Sequence, residues 1–361
     1  MRIVVDGIGA GAGSSAAVIL EHMLEGWQGL GGDELHVVLD PTSRVAVPAG
    51  VDVEHVDTTR QTELRRIRAQ TFVVPRVCRA VGADAMVGLL PSATVAPLPC
   101  PRLVIAYDMR HELLPEQFSF KQRWLKKISY GIGWRQADAI ACITERTKRD
   151  LLAPRPWLRD HRIGIAPLGS DHVGTWPTVP IDEPYAVAFG QYGNKNVDMV
   201  IDAWGVLRDR GEAMPIKLIG MPDAARATAE AHIGRLGLGE LVEPVGWLFG
   251  EDLQRCFASA GLFVFPSDFE GFGIPAVEAM RLRIPLVISP EDALLEVTDG
   301  HATVMEGWGP EPLADAVVRA RCTAPERLDA ARARAEEFTW RRMAESIRSL
   351  ADQAIAARRT P

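Results

Sequence analysis

The stretch SDFEGFGIPAVEAM, residues 267–280, sets Glu270 and Glu278 on either side of an almost bare backbone, with seven residues between them. Glycines at 271 and 273 let a ligand approach the main chain closely. Pro275 suits the first turn of a helix beginning near Ile274. The N–H groups of Phe272, Gly273 and Ile274 then point outward with the positive end of the helix dipole, which makes an anion site. Glu270, ahead of the loop, and Glu278, one turn into the helix, flank the anion and accept hydrogen bonds from hydroxyls. A diphosphate with hydroxyl-bearing groups at both ends, as in a nucleotide sugar, has this shape. Each glutamate alone has a plainer explanation: Glu278 as an acid favoured near a helix start, Glu270 as a solvated loop residue. The combination of strand, Glu, Gly-Phe-Gly, Pro and Glu is far more specific.

The elements that must hold this loop are legible as runs of apolar residues. RIVVD, ELHVVLD, AMVGLL, RLVIAYD and AIACIT read as strands of a first half, and YAVAFG, IKLIG, LVEPVG, GLFVF and PLVIS as strands of a second. Most are continuous rather than alternating, as strands buried on both faces must be. Helical patterns such as SSAAVILEHMLEGWQGL, NVDMVIDAWGVLRDRG and DLQRCFASA lie between them. The repeated βα pattern predicts an α/β chain of two doubly wound, Rossmann-like parallel sheets, with ligands in a crevice outside the carboxyl ends of the strands. The Pro- and Gly-rich segment APLGSDHVGTWPTVPIDEP, 166–184, reads as the linker.

Bulk properties agree. With 361 residues the chain exceeds what one core serves, and 47% hydrophobic and 24% charged residues are ordinary for a globular protein. No apolar run approaches a membrane span, and MRIVVDGIGAGAG breaks into glycines too early for a signal-peptide core, so a cytoplasmic protein is expected. Cys78, Cys100, Cys142, Cys256 and Cys322 have neither metal-ligand nor paired spacing and read as reduced, mostly buried thiols. The net charge of −7 is uneven. Residues 1–170 carry 21 Lys and Arg against 18 Asp and Glu, and the remainder 19 against 29. The basic excess lies in 60–79, with six arginines and one glutamate, and in KQRWLKKISYGIGWR, with five basic residues and no acid. A pI near 5.7 argues against a general nucleic-acid binder.

FPSDFEGFGIPAVEAMRLRIPLVIS resembles the signature of family 4 of the retaining, nucleotide-sugar-dependent glycosyltransferases, which have the GT-B fold of two Rossmann-like domains facing across a cleft. Supporting matches are DGIGAGAGSS, ACITERTKRDLL followed by IAPLGSD, GNKNVDMVIDAW, LIG and a terminal FTWRRMAESI. The resemblance implies an N-terminal acceptor-side domain (1–172), a C-terminal donor domain (173–338) and a last helix (339–361) crossing back onto the first domain. It assigns the transferred sugar to Glu270 and the ribose to Glu278. Lys195 becomes the cation on the diphosphate, Gly9 and Gly11 the loop approaching it from the first domain, and Gly190 and Gln191 part of the donor site. Asp108 stands on the acceptor side with Glu270 and Lys195 as catalytic residues. The implied reaction transfers a hexose with retention to a glycan, lipid-linked or small-molecule hydroxyl. A donor phosphate oxygen takes the acceptor proton, with no metal and no cofactor beyond the donor itself.

Two positions depart from the pattern. Gln191 stands where relatives commonly carry an arginine, and Tyr107-Asp108 where many have His-Asp, with His111 nearby as a substitute or as an ordinary structural residue. These departures motivate an alternative: a weakened member that binds a nucleotide sugar or glycan without turnover. A second alternative, an NAD-dependent oxidoreductase, comes from GIGAGA after RIVVD. Its acidic partner would be Asp40, 28 residues beyond Ala12 rather than the usual ~20. Trp247, after Gly246, reads as a residue beside the base or as a buried aromatic. The two basic stretches read as amphipathic helices that pack an apolar face, or as a surface for an anionic membrane or an acidic glycan.

Overall fold

A computed structural model describes every residue except 12, 13, 57–62, 93–95, 178–183, 192, 360 and 361, and the side chains of 63–65. It divides into two units, Met1–Gly169 with Phe338–Pro361, and Ser170–Glu337.

The first unit runs β1 (Arg2–Asp6), α1 (Ser15–Gln28), β2 (Glu34–Leu39), β3 (Asp52–His55), α2 (Glu63–Val81), β4 (Ala85–Gly88), β5 (Arg102–Ala106), α3 (Arg110–Leu113), α4 (Phe120–Gln136), β6 (Ala139–Cys142), α5 (Glu145–Leu152) and β7 (Arg162–Ile165). All strands pair in parallel in the order β3-β2-β1-β4-β5-β6-β7. β4, β5 and β6 are buried throughout, as helices on both faces require. Ser14 caps α1 by accepting from the Ala17 N–H, and α1 buries Ile19, Leu20, Met23, Leu24 and Trp27. Cys78 and Cys100 meet in the core beneath α2, a contact that their spacing did not reveal. All five cysteines are free thiols, but Cys322 is exposed.

The second unit runs β8 (Tyr185–Phe189), α6 (Val197–Asp209), β9 (Ile216–Ile219), α7 (Asp223–Leu236), β10 (Val242–Pro244), α8 (Gly250–Ala258), β11 (Ala260–Phe265), α9 (Ile274–Arg281), β12 (Leu286–Ile288), α10 (Asp292–Thr298), β13 (Thr303–Val304), α11 (Pro310–Arg321) and α12 (Pro325–Glu336). Its parallel sheet has the order β10-β9-β8-β11-β12-β13. Trp204, Leu207, Leu218, Leu262, Val264 and Val317 anchor its core, and the Trp204 indole donates to the Met214 carbonyl at 2.6 Å. The final helix, α13 (Trp340–Arg359), belongs to the first unit and lies along α1.

Strand order reverses between β1 and β4 in one sheet and between β8 and β11 in the other. Chains leaving neighbouring strands in opposite directions open a crevice at their carboxyl ends. The loops at residues 7–11 and 190–196 leave β1 and β8, and the loop at 266–273 leaves β11. The expectation that α4 packs its apolar side holds for part of the helix: Trp134 and Tyr130 pack into the core of the first unit, while Phe120, Trp124 and Ile128 face solvent.

Candidate functional site

In the second unit, the loops after β8 and β11 are stitched together by the GNKN segment. Asn194 donates from Nδ2 to the Phe269 carbonyl at 2.9 Å, Asn196 donates to the Pro266 carbonyl at 2.8 Å, and the Asp268 N–H donates to the Asn194 carbonyl at 3.1 Å. Asn196 does this from a left-handed conformation, φ 53°, which asparagine tolerates better than most residues. Lys195, held between these two anchors, extends its ammonium to within 2.5 Å of Glu270 Oε1 and over the Phe265 ring, 4.2 Å from its centre. Both ends of the pair are largely buried, with side-chain exposures of 7% and 14%. Cation and carboxylate thus neutralise each other where water screens them weakly.

The loop then turns into α9 through Gly273, at φ 90°. That conformation favours glycine, and a Cβ there would also meet Leu294 Cδ2 at 2.5 Å and force that side chain to shift. Phe272 is buried and Ile274 opens the helix, whose first N–H groups lack intrahelical acceptors. Glu278 is the fifth residue of α9, beyond the first-turn position that the plainer explanation assumed. Its Oε1 lies 2.9 Å from His172 Nε2, in the segment that opens this unit. His172 in turn meets the Trp176 ring edge-on at 5.8 Å, and Trp176 meets Phe257 at the same distance. His172 and Asn194 escaped the sequence reading. Each sits inside a quoted motif, but its function as a support lies in a contact with a distant loop.

Gly190 and Gln191 line a 340 Å³ cavity at the start of α6 with Asn196 and Met221. A Cβ at Gly190 would stand 2.6 Å from Met221 Cγ, so the chain passes too close for a side chain. Trp247 is exposed, not buried, and stacks on Phe249 with ring centres 6.2 Å apart.

In the first unit, Gly9 has φ 100° and donates its N–H to Asp40 Oδ2 at 2.7 Å. Asp40 is buried, and its carboxylate fastens the glycine loop, a structural task distinct from the ribose contact of a dinucleotide enzyme. Nothing would crowd a Cβ at Gly11, while Ala12 and Gly13 lie outside the described residues. Asp6, at the end of β1, accepts from Ile8 N–H and Gln70 Nε2. Burial pushes its carboxyl up to about 6 against those hydrogen bonds. Asp108 Oδ1 accepts the Arg110 N–H at 2.8 Å and so fixes the turn into α3. Burial drives the Tyr107 phenol upward, leaving it neutral. His111 is buried against the edge of Tyr130, 5.0 Å between centres, and faces the protein rather than solvent.

The structure therefore groups Lys195, Glu270, Phe272 and Gly273 on adjoining loops of the second unit, with Ile274 and Glu278 in the helix that follows. Gly9, Gly11 and Asp108 lie at strand ends of the first. Among the described residues no cluster of three metal-ligating side chains occurs.

Comparisons with known proteins bear on both units. The family model described as "Glycosyl transferases group 1" matches residues 183–321. A GDP-mannose-dependent alpha-(1-6)-phosphatidylinositol dimannoside mannosyltransferase of Mycobacterium tuberculosis is 30% identical over 168 residues, 45% of this chain and 42% of that protein. An MMP alpha-(1->4)-mannosyltransferase of Mycolicibacterium hassiacum is 34% identical over 134 residues, 35% and 33% of the two chains. The chain thus spans between about a third and a half of the length of these relatives. Sucrose-phosphate synthase from Thermosynechococcus elongatus superposes with a TM-score of 0.76 at 16% identity, covering 99% of this chain and 100% of that one. Anabaena Alr3699/HepE in complex with UDP gives 0.72 at 16% identity, covering 98% and 100%. With two parallel Rossmann-like sheets aligned over nearly their whole length to such structures, the chain has the GT-B fold, and residues 183–321 of its second unit match the glycosyl transferases group 1 model.

Proposed function

We propose that the protein is a retaining glycosyltransferase that moves a hexose from a nucleoside diphosphate sugar to an acceptor hydroxyl. The observation that carries this reading is the Lys195–Glu270 pair at the strand-order reversal of the second sheet, with the start of α9 directly after the loop and Glu278 in that helix. An arriving diphosphate competes with Glu270 for Lys195. It gains the ammonium and the first N–H groups of α9, while Glu270 is released to accept hydroxyls of the sugar. Glu278, already oriented by His172, accepts from the ribose. In the transfer step the bond from the anomeric carbon to the diphosphate oxygen breaks, and the new glycosidic bond forms on the same face. The leaving phosphate oxygen takes the acceptor proton. Positioning and charge stabilisation on the diphosphate then drive the reaction, without a metal.

Gln191 contributes a neutral amide to the donor site, which leaves Lys195 as the cation of this unit's cluster. Gly9, Gly11 and Asp108, at strand ends of the first unit, keep the donor-loop and acceptor-side roles that the resemblance implies for them. The relatives named above favour a mannosyl donor carried on guanosine diphosphate or, as in the UDP complex, a hexose carried on uridine diphosphate, and a glycan or lipid-linked acceptor. A lipid-linked acceptor places the protein at the inner surface of an anionic membrane.

A panel of GDP- and UDP-linked hexoses, incubated with candidate acceptors and followed by NMR of the anomeric proton, tests the reading. One donor should be consumed with its α configuration kept in the product. Nucleotide binding without consumption of any donor would favour the weakened, binding-only member.

A further inference from the structure

On the first unit, α4 and the turn at 154–157 enclose a 590 Å³ hollow of unusual chemistry. Its charged lining is Arg123, Lys127, Arg135 and Arg155, with Glu112 as the acid. Glu112 is already taken by the Arg155 guanidinium. Burial raises its carboxyl, but contacts with His111 and Arg155 outweigh that and hold it below the ordinary carboxylate range. Arg135 lies over the Trp157 ring at 5.2 Å. Arg123 and Lys127 have no carboxylate partner among the described residues. The hollow is therefore a cationic depression with aromatic walls.

Its rim is apolar in a way that a soluble ligand does not explain. Phe120, Trp124 and Ile128 recur every fourth residue on α4, so they form one stripe along the helix. They are 81%, 57% and 43% exposed. Leu113 and Trp157 add exposed apolar surface. The helix that carries the stripe is fixed at its start by a reciprocal capping box of Ser119 and Gln122. Lys126 turns away toward the Phe118 and Tyr130 rings, at 4.9 and 5.7 Å, which leaves Arg123 and Lys127 to flank the stripe. Phe and Trp on one side of a helix with Arg and Lys beside them is the arrangement of a helix lying in a bilayer interface. Among the described residues no helix is long and apolar enough to cross a membrane, so the contact is peripheral.

We infer that α4 docks the protein onto an anionic phospholipid surface: Phe120, Trp124 and Ile128 enter the headgroup boundary, and Arg123 and Lys127 take lipid phosphates into the hollow. The inference names the surface behind the membrane placement proposed above, and it requires no sugar transfer. Vesicle binding by a protein that consumes no donor would uphold the docking surface and sink the enzyme; turnover without vesicle binding would do the reverse.

The full chain should cosediment with vesicles of equal parts phosphatidylcholine and phosphatidylglycerol at low salt, and stay in the supernatant with phosphatidylcholine alone. At ~1 M salt, where the screening length is ~3 Å, anionic binding should also fall away. Arg123→Gln with Lys127→Gln should lower partitioning about 25-fold, about fivefold for each cation. Phe120→Ser with Trp124→Ser should abolish it, and should remove the quenching of tryptophan emission by bromine-labelled acyl chains. Circular dichroism and melting temperature should match the parent in both variants, and Arg76→Gln with Arg79→Gln on α2 should leave partitioning unchanged. Absence of binding to anionic vesicles at low salt overturns the inference, as does equal loss in the α2 variant. Binding of a soluble acidic polysaccharide in place of vesicles also overturns it.

Discussion

Lys195 pairs with Glu270 and lies over the Phe265 ring, and in the proposed reading a diphosphate competes with that carboxylate for its ammonium. Its bond to Glu270 resolves two demands at once: each group neutralises a charge that would otherwise be stranded in a largely buried position. Removing one partner strands the other, at a cost of about 3–5 kcal/mol in buried pairs. Removing both with residues of similar shape should recover most of that. We therefore expect Lys195→Met and Glu270→Gln each to lower thermal stability, and the double variant to melt closer to the parent than Lys195→Met does. Activity should behave differently. Lys195→Met alone should lose more than about a hundredfold in rate, as for a preorganised charge-stabilising donor, and the double variant should recover none of it. A double variant that regained activity along with stability would show the pair to be a structural strut. A rate loss of tenfold or less in Lys195→Met would mean that another cation carries the diphosphate.

The helices and loops that present these side chains are set by close approaches at a few glycines. Gly26 in α1 lies beneath the start of α13, and a Cβ there would stand 2.5 Å from the Trp340 carbonyl group. Gly26→Val should therefore push α13 off the first unit, at the ~1–3 kcal/mol typical of overpacking. Limited proteolysis should show faster cleavage near residue 338 and a lower melting temperature. Unchanged protection would mean that α13 accommodates the side chain. Legibility in the sequence followed burial at this scale. β11 and β12 were plain because strands covered on both faces need continuous apolar runs, and the Glu270–Glu278 loop because Gly273 and Pro275 punctuate it. β3, β7 and β13 were not read, since each is an edge strand whose residues are partly or wholly exposed, so no apolar run marks them. His172 and Asn194 were missed for another reason. Their contacts span 106 and 75 residues, and neither residue type nor local spacing announces such a partner.

For the whole molecule, the buried Asp6 makes stability depend on pH. Its carboxyl is raised from 3.8 to about 6 in the folded chain, by burial that its hydrogen bonds only partly offset. Between about pH 4 and 6 the folded state keeps a proton that the unfolded state has released. Stability from this group is full below pH 4 and is lost as pH rises through about 6. Asp6→Asn, with the Gln70 amide turned to accept from it, should remove that slope and melt higher than the parent at pH 8, by up to about 1–3 kcal/mol. A difference of equal size at pH 4 and pH 8 would contradict the linkage. The unit boundaries matter for the central claim as well, because Lys195, Glu270, His172 and Glu278 all belong to Ser170–Glu337. Donor recognition by these four side chains should therefore be readable as binding alone, with no acceptor present. The most direct measurement is calorimetric titration of the full chain with nucleoside diphosphate sugars, comparing the parent with Glu278→Ala and Glu270→Ala. One donor should bind the parent, and Glu278→Ala should weaken both that donor and its free nucleoside diphosphate by about 10- to 150-fold, the ~1.5–3 kcal/mol of hydrogen bonds to a charged group. Glu270→Ala should weaken the sugar-bearing donor and leave the free diphosphate bound. Equal affinity for donor and free diphosphate across all three proteins would contradict the placement of the donor at this loop.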